Sequence, residues 1–182
     1  MGYAQQSLRI FFYKPKLRKY HLHNEEIIKW AVELYQEQVL KQPSPLQIQI
    51  SNMDGFVTPY YVDILEQFVK ELGLEKTHVG LITGLVLSGL DKGEYQLRSN
   101  TLPSHYTATH YIKGSCPDVY HHPARTLLQI FNPGLDEWTS AMSLYVNEGD
   151  IVIHPSYLEY STPKLTEDRL ALTILITLAP RE

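Results

Sequence analysis

A chain of 182 residues has the length of one domain. With 43% hydrophobic and 20% charged residues it has an ordinary globular composition, which excludes disorder, collagen and coiled coil. The net charge of −4 and pI near 6.1 argue against a dedicated nucleic-acid binder, and the single cysteine, Cys116, excludes an internal disulfide and any multi-cysteine zinc site.

No apolar run reaches the roughly 20 residues that span a bilayer, and the N-terminus lacks a secretory h-region, so a cytosolic protein without membrane contact is expected. The first six-residue apolar run, Leu8-Arg9-Ile10-Phe11-Phe12-Tyr13, is β-prone and stops before Pro15. Lys14, Lys16, Arg18 and Lys19 follow it and read as a solvated loop. Asn24 caps a first helix whose opening turn carries Glu25 and Glu26, with Ile27, Trp30, Ala31 and Leu34 as its apolar stripe. A second helix is predicted from Thr58 as its cap and Pro59 at its first position, with Tyr61, Leu65, Phe68 and Leu72 on one face and Gly73 as its stop.

Beyond Gly73 the period shortens. Segments 78–90, 93–98, 105–113, 124–131, 141–147, 150–154 and 168–178 are β-branched or aromatic and separated by turn residues. Two helices followed by seven or eight strands predict an α+β domain: a helical part at about 21–73 laid on one sheet of a jelly-roll β core at about 78–178. Thirteen tyrosines against five phenylalanines and two tryptophans suit partly buried contact surfaces. Leu8, Ile10, Phe11, Phe12 and Tyr13 therefore form a candidate interface with a protein partner or a second copy, or a strand that completes the domain's own sheet.

Residues 149–163, Gly-Asp-Ile-Val-Ile-His-Pro-Ser-Tyr-Leu-Glu-Tyr-Ser-Thr-Pro, precede the strand Arg169-Leu170-Ala171-Leu172-Thr173-Ile174. Upstream stand Ser51-Asn52-Met53-Asp54-Gly55-Phe56, Gly93-Glu94-Tyr95-Gln96, Thr107–Lys113 and Phe131-Asn132-Pro133. Taken in this order, these segments resemble the landmarks of 2-oxoglutarate/Fe(II)-dependent oxygenases of the kind common in marine bacteria and their phages. The resemblance implies a double-stranded β-helix (cupin-like) fold. It also implies an iron held by two histidines and a carboxylate, and an arginine that holds the distal carboxylate of 2-oxoglutarate. The iron-ligand positions fall on Ser99, Thr101 and Tyr160, so all three depart from the family; the arginine position falls on Arg169. Arg169, Ala171 and Thr173 share one strand face by parity, and Arg169 either forms an anion site or pairs with Glu159, Glu167 or Asp168.

The leading expectation is a degenerate oxygenase scaffold without catalysis or cofactor, serving as a structural or protein-binding module, in a virion if phage-encoded. Two alternatives stand beside it. One is a 2-oxoglutarate/Fe(II) hydroxylase with a rearranged metal site, for which His105, Asp118, His121 and His154 are the remaining cluster. The other is a small-anion binder using Arg169. Tyr160 is expected to fill the space that iron occupies in active relatives.

Overall fold

The computed structural model describes residues 17–40, 47–50, 55, 57–94, 96–99, 103–114, 116–122 and 142–181, with 95–100, 115–122, 142–143 and 159 described by backbone at most. The expectations for Leu8–Tyr13, Thr101 and segment 124–131 lie outside the described residues, as do the side chains of Ser99, Asp118 and His121.

The described elements begin with strand β1 (Arg18–His21), helix α1 (Glu25–Val39) and strand β2 (Gln47–Ile50), followed by a 3-10 turn (Thr58–Tyr61) and helix α2 (Val62–Glu71). Eight further strands follow: β3 (His78–Leu90), β4 (Gln96–Ser99), β5 (Tyr106–Lys113), β6 (Cys116–His122), β7 (Met142–Val146), β8 (Asp150–Pro155), β9 (Glu159–Thr162) and β10 (Arg169–Pro180). One sheet has the order β1-β8-β5-β10-β3-β2 and the other β4-β9-β6-β7, with every pairing antiparallel. The pairs β6·β7, β5·β8, β4·β9 and β3·β10 nest within one another, as in a long hairpin wound into two sheets. That arrangement is a jelly roll.

Asn24 caps α1 as its position predicts: its Oδ1 accepts from the Glu26 and Ile27 N–H groups at 2.9 and 3.1 Å. Thr58 does not cap α2. It opens the 3-10 turn, which has no side-chain cap, and α2 starts only at Val62. Pro59 fixes φ without an N–H and so suits that tighter entry. Both helices lie on the six-stranded sheet. Ile27, Ala31, Leu65, Phe68 and Val69 bury against Leu85, Leu87, Ile153, Leu172 and Ile174. Each such side chain stabilises by roughly 1.5–3 kcal/mol, which makes this layer the main core. A smaller cluster of Leu90, Tyr111, Val146, Val152, Leu165 and Ala171 lies between the sheets. No helix among the described residues is long and apolar enough to cross a membrane.

Arg18 and Lys19 are not in a solvated loop; they stand in β1, which pairs with β8. Lys19 Nζ reaches the buried Asp150 carboxylate at 2.7 Å and donates to the Tyr145 carbonyl at 3.1 Å, while Arg18 bonds Glu71 at 3.1 Å and stacks over Phe68. Burial alone would raise the Asp150 carboxyl; Lys19, the Asn147 N–H and His21 outweigh it and hold it below the usual carboxylate range. Gly149, at φ +84°, lets the chain turn here, because a Cβ would meet the His21 ring at 2.6 Å. Lys19→Ala leaves Asp150 buried without its strongest partner, and is expected to cost about 2 kcal/mol in urea unfolding at pH 7. Cys116 begins β6.

Candidate functional site between the sheets

Strand parity divides β10 into two faces. Leu170, Leu172, Ile174 and Ile176 belong to the helix-covered core, whereas Ala171 packs between the sheets. Arg169 shares the inner face. It is 5% exposed, and its guanidinium carbon lies 5.8 Å from the centre of the Tyr111 ring. Across β10, Ala171 pairs with Tyr111 and Thr173 with Thr109, and both threonines are buried. The result is a buried cation with small and hydroxylated neighbours, a surface that apolar packing alone would not select. Asp168, one of the local carboxylates beside Arg169, accepts the Lys92 N–H on Oδ1 at 2.9 Å. Gly114 makes the start of β10 accessible to β5: it adopts φ +80°, and a Cβ there would lie 2.3 Å from the Asp168 carbonyl.

The other end of this inner face is also polar. Ser156 Oγ lies 2.8 Å from both Ser104 Oγ and Thr107 Oγ, all three buried. His154, the cross-strand partner of Thr107, is 1% exposed and donates Nδ1–H to the Pro155 carbonyl at 2.9 Å, which leaves Nε2 as the lone-pair nitrogen. Burial lowers its pKa to about 4, against the weaker upward pull of that carbonyl. Tyr160 stands on β9 with Ser99 and His121 as its register partners on the neighbouring strands, and its ring lies 5.8 Å from that of His154.

The backbone register therefore sets Ser99 and His121 beside Tyr160, whose ring lies near His154, while Arg169 stands farther along the inner face beside Tyr111. His105 stands apart and exposed: its Nδ1 accepts from the Leu178 N–H at 2.9 Å. Asp118 lies in β6, three residues before the register partner of Tyr160. Among the described residues no three His, Cys, Asp or Glu side chains converge, and a phenol facing an imidazole does not match the two-histidine, one-carboxylate set. The described residues do not fit that iron site.

Tyr160 is half-buried rather than enclosed, so it only partly fills the inner space. Tyr160→Ala is accordingly expected to cost about 1–2 kcal/mol in chemical denaturation, less than the 3–5 kcal/mol of a fully buried large aromatic. Tyr111, Thr109, Ser104 and Thr107 were not singled out from sequence as site residues. The period-2 pattern of residues 105–113 carries the signal, because it sets 107, 109 and 111 on one face.

The class that this topology defines is the jelly roll with two helices on its larger sheet. The chain matches no protein-family model and no curated protein. Among solved structures it is similar to a prolyl-4-hydroxylase of Pseudomonas putida (TM-score 0.57, 10% identity, 90% of this chain and 93% of that one). It is likewise similar to the viral collagen prolyl hydroxylase of Paramecium Bursaria Chlorella virus-1 in its 2OG complex (TM-score 0.57, 9% identity, 90% and 96%). The non-heme α-ketoglutarate-dependent epimerase SnoN from nogalamycin biosynthesis is a third neighbour (TM-score 0.57, 10% identity, 92% and 81%). The fold is that of 2-oxoglutarate oxygenases. The expectation of a chain without cofactor is corrected by these neighbours, two of which are named for 2-oxoglutarate itself.

Proposed function

We propose that this chain binds 2-oxoglutarate, or a dicarboxylate of that size, between the sheets of a double-stranded β-helix. The observation that carries the reading is Arg169: a buried guanidinium at the first position of β10, turned to the inner face over Tyr111. A planar fork of donors suits a carboxylate, and its seclusion from water strengthens each charge-assisted bond. Thr109 and Thr173 supply hydroxyls along the face, and Ala171 leaves room beside them. His154 lies farther along the inner face, on the row of Leu175, about 20 Å along β10 from Arg169 and beyond the span of a dicarboxylate held there. Tyr160 stands where the resemblance puts the distal histidine of active relatives, and the ligand positions remain degenerate in this reading.

A purely structural role finds no support in the neighbours, which are named as enzymes. Calorimetric titration with 2-oxoglutarate, run with and without Fe(II), tests the proposal. Saturable binding near one equivalent is expected, with about 2.7 kcal/mol of added stability at a ligand concentration 100 times Kd. Absence of binding at millimolar ligand in both conditions refutes it. Succinate release above buffer in the Fe(II) arm would favour the rearranged-metal hydroxylase.

A further inference from the structure

Tyr111, the ring beside Arg169, sits where β5 loses regular support. On one side its strand meets β10 across an irregular register, which shifts between Leu170↔Lys113 and Ala171↔Tyr111. On the other side the β5·β8 pairing ends at His110↔Ile151, and one bond continues it, from the Gly149 N–H to the Tyr111 carbonyl at 2.7 Å. The chain enters β8 there through Gly149, at φ +84°. A residue with an irregular ladder on one flank and the last rung of a ladder on the other needs a further constraint to hold its side chain in place.

His110 supplies one. It precedes Tyr111 on β5 and faces the opposite way, with register partners Leu172 and Ile151 in the helix-covered core, and it is 1% exposed. Burial lowers its pKa to about 4, so the ring is neutral at pH 7. Its Nε2–H donates to the Leu22 carbonyl at 3.0 Å, which leaves Nδ1 as the acceptor of the Tyr61 hydroxyl at 2.7 Å. The Leu22 N–H in turn donates to the Gly149 carbonyl at 2.8 Å. A closed loop results: the His110 side chain to Leu22, Leu22 to Gly149, Gly149 to Tyr111, and Tyr111 back to His110 through the peptide bond. One side chain thus reaches across β8, from β5 to the chain just after β1. Tyr61, from the turn that leads into α2, holds the imidazole in this orientation, because rotating the ring gives up both bonds.

We propose that His110 is a positioning residue of the anion site: from the far side of the sheet it fixes the backbone of Tyr111, and with it the ring beside the Arg169 guanidinium. Its effect on binding rests on the dicarboxylate reading; its effect on Tyr111 does not. Two readouts at pH 7 test the two separately. NMR of the unliganded protein follows the Tyr111 ring and the Arg169 Nε–H, and calorimetry follows 2-oxoglutarate affinity. His110→Leu, which cannot donate to Leu22, is expected to shift both sets of resonances and to weaken binding by about tenfold, the weight of one hydrogen bond. His110→Gln, whose amide both donates and accepts, should restore most of each. Tyr61→Phe releases Nδ1 at nearly constant volume and should move the resonances the same way by less, which gives a second reading should His110→Leu fail to fold. Leu65→Ala truncates a core side chain of α2 in the same layer and is the control for lost stability. It should unfold at lower urea and leave the Tyr111 and Arg169 resonances in place. Unmoved resonances in the His110→Leu and Tyr61→Phe proteins, or equal movement in Leu65→Ala, overturn the proposal. So does unchanged affinity in His110→Leu when the unaltered protein binds. Absence of binding in the unaltered protein refutes the dicarboxylate reading instead, and with it any role of His110 in an anion site, while the resonances still decide whether His110 fixes Tyr111.

Discussion

Arg169→Ala is expected to weaken 2-oxoglutarate binding by about 100-fold while leaving a folded protein. A two-pronged charge-assisted contact contributes about 3 kcal/mol, and each 1.4 kcal/mol is tenfold in Kd. Arg169→Lys should recover only part of this, because an ammonium keeps the charge and loses the planar fork. Thr173→Val tests the floor of the same site, removing one hydroxyl at nearly constant volume, and should weaken binding by roughly tenfold. Calorimetry on the three variants, with circular dichroism to establish folding, reads these effects. Equal affinity in Arg169→Ala and the unaltered protein would place the anion elsewhere.

Acidification should destabilise the fold well before its carboxylates titrate. His110 and His154 are both buried, and burial lowers each to about 4 from an ordinary 6.5. His110 donates Nε2–H to the Leu22 carbonyl at 3.0 Å and accepts the Tyr61 hydroxyl on Nδ1 at 2.7 Å, with His21 and His23 adding positive charge nearby. Burial raises the Tyr61 phenol, so it stays protonated as the donor. Tyr160 is the ring that faces His154. Between pH 6.5 and 4 the unfolded chain takes up protons at these positions while the native state does not, so stability is complete above 6.5 and falls as the pH drops. The loss reaches about 3 kcal/mol per histidine at pH 4, a large share of a domain's usual 5–15 kcal/mol. Urea denaturation at intervals from pH 7 to 4.5 should give a slope approaching two protons, and His110→Gln should remove about one. A flat profile down to pH 5 would mean that one or both imidazoles are solvated.

The sequence made the order of helices and strands legible because local signals carried it: the Asn24 cap, the Gly73 stop at φ +73°, and the period change after residue 73. The two faces of β10 were legible for the same reason, since parity needs no partner. Four strands were not: β1 and β2 at the edges of the larger sheet, and β6 and β9 inside the smaller one, none of which falls in the segments expected from sequence. Arg18-Lys19-Tyr20-His21 has no apolar alternation, and it becomes a strand because β8 offers a ladder and Asp150 holds Lys19. Gln47-Ile48-Gln49-Ile50 does alternate, and that signal was available between Pro45 and Asn52. At the site, Arg169 was legible through resemblance. Its neighbour Tyr111 follows only from the register of β5 on β10, a pairing between segments about 60 residues apart that no local pattern contains.

The nested strand pairing has a consequence for how the chain is made. β10 is the last strand in chain order, yet it lies at the centre of the larger sheet, between β5 and β3. During synthesis α1 and α2 emerge first, but the surface that covers their apolar stripes is incomplete until β10 joins it. Closing β3 onto β10 also brings together residues about 80–100 positions apart, which places the fold among the slow, non-local ones. A nascent chain stalled before residue 169 would therefore expose Ile27, Leu65 and Phe68 together, a surface suited to a ribosome-associated chaperone.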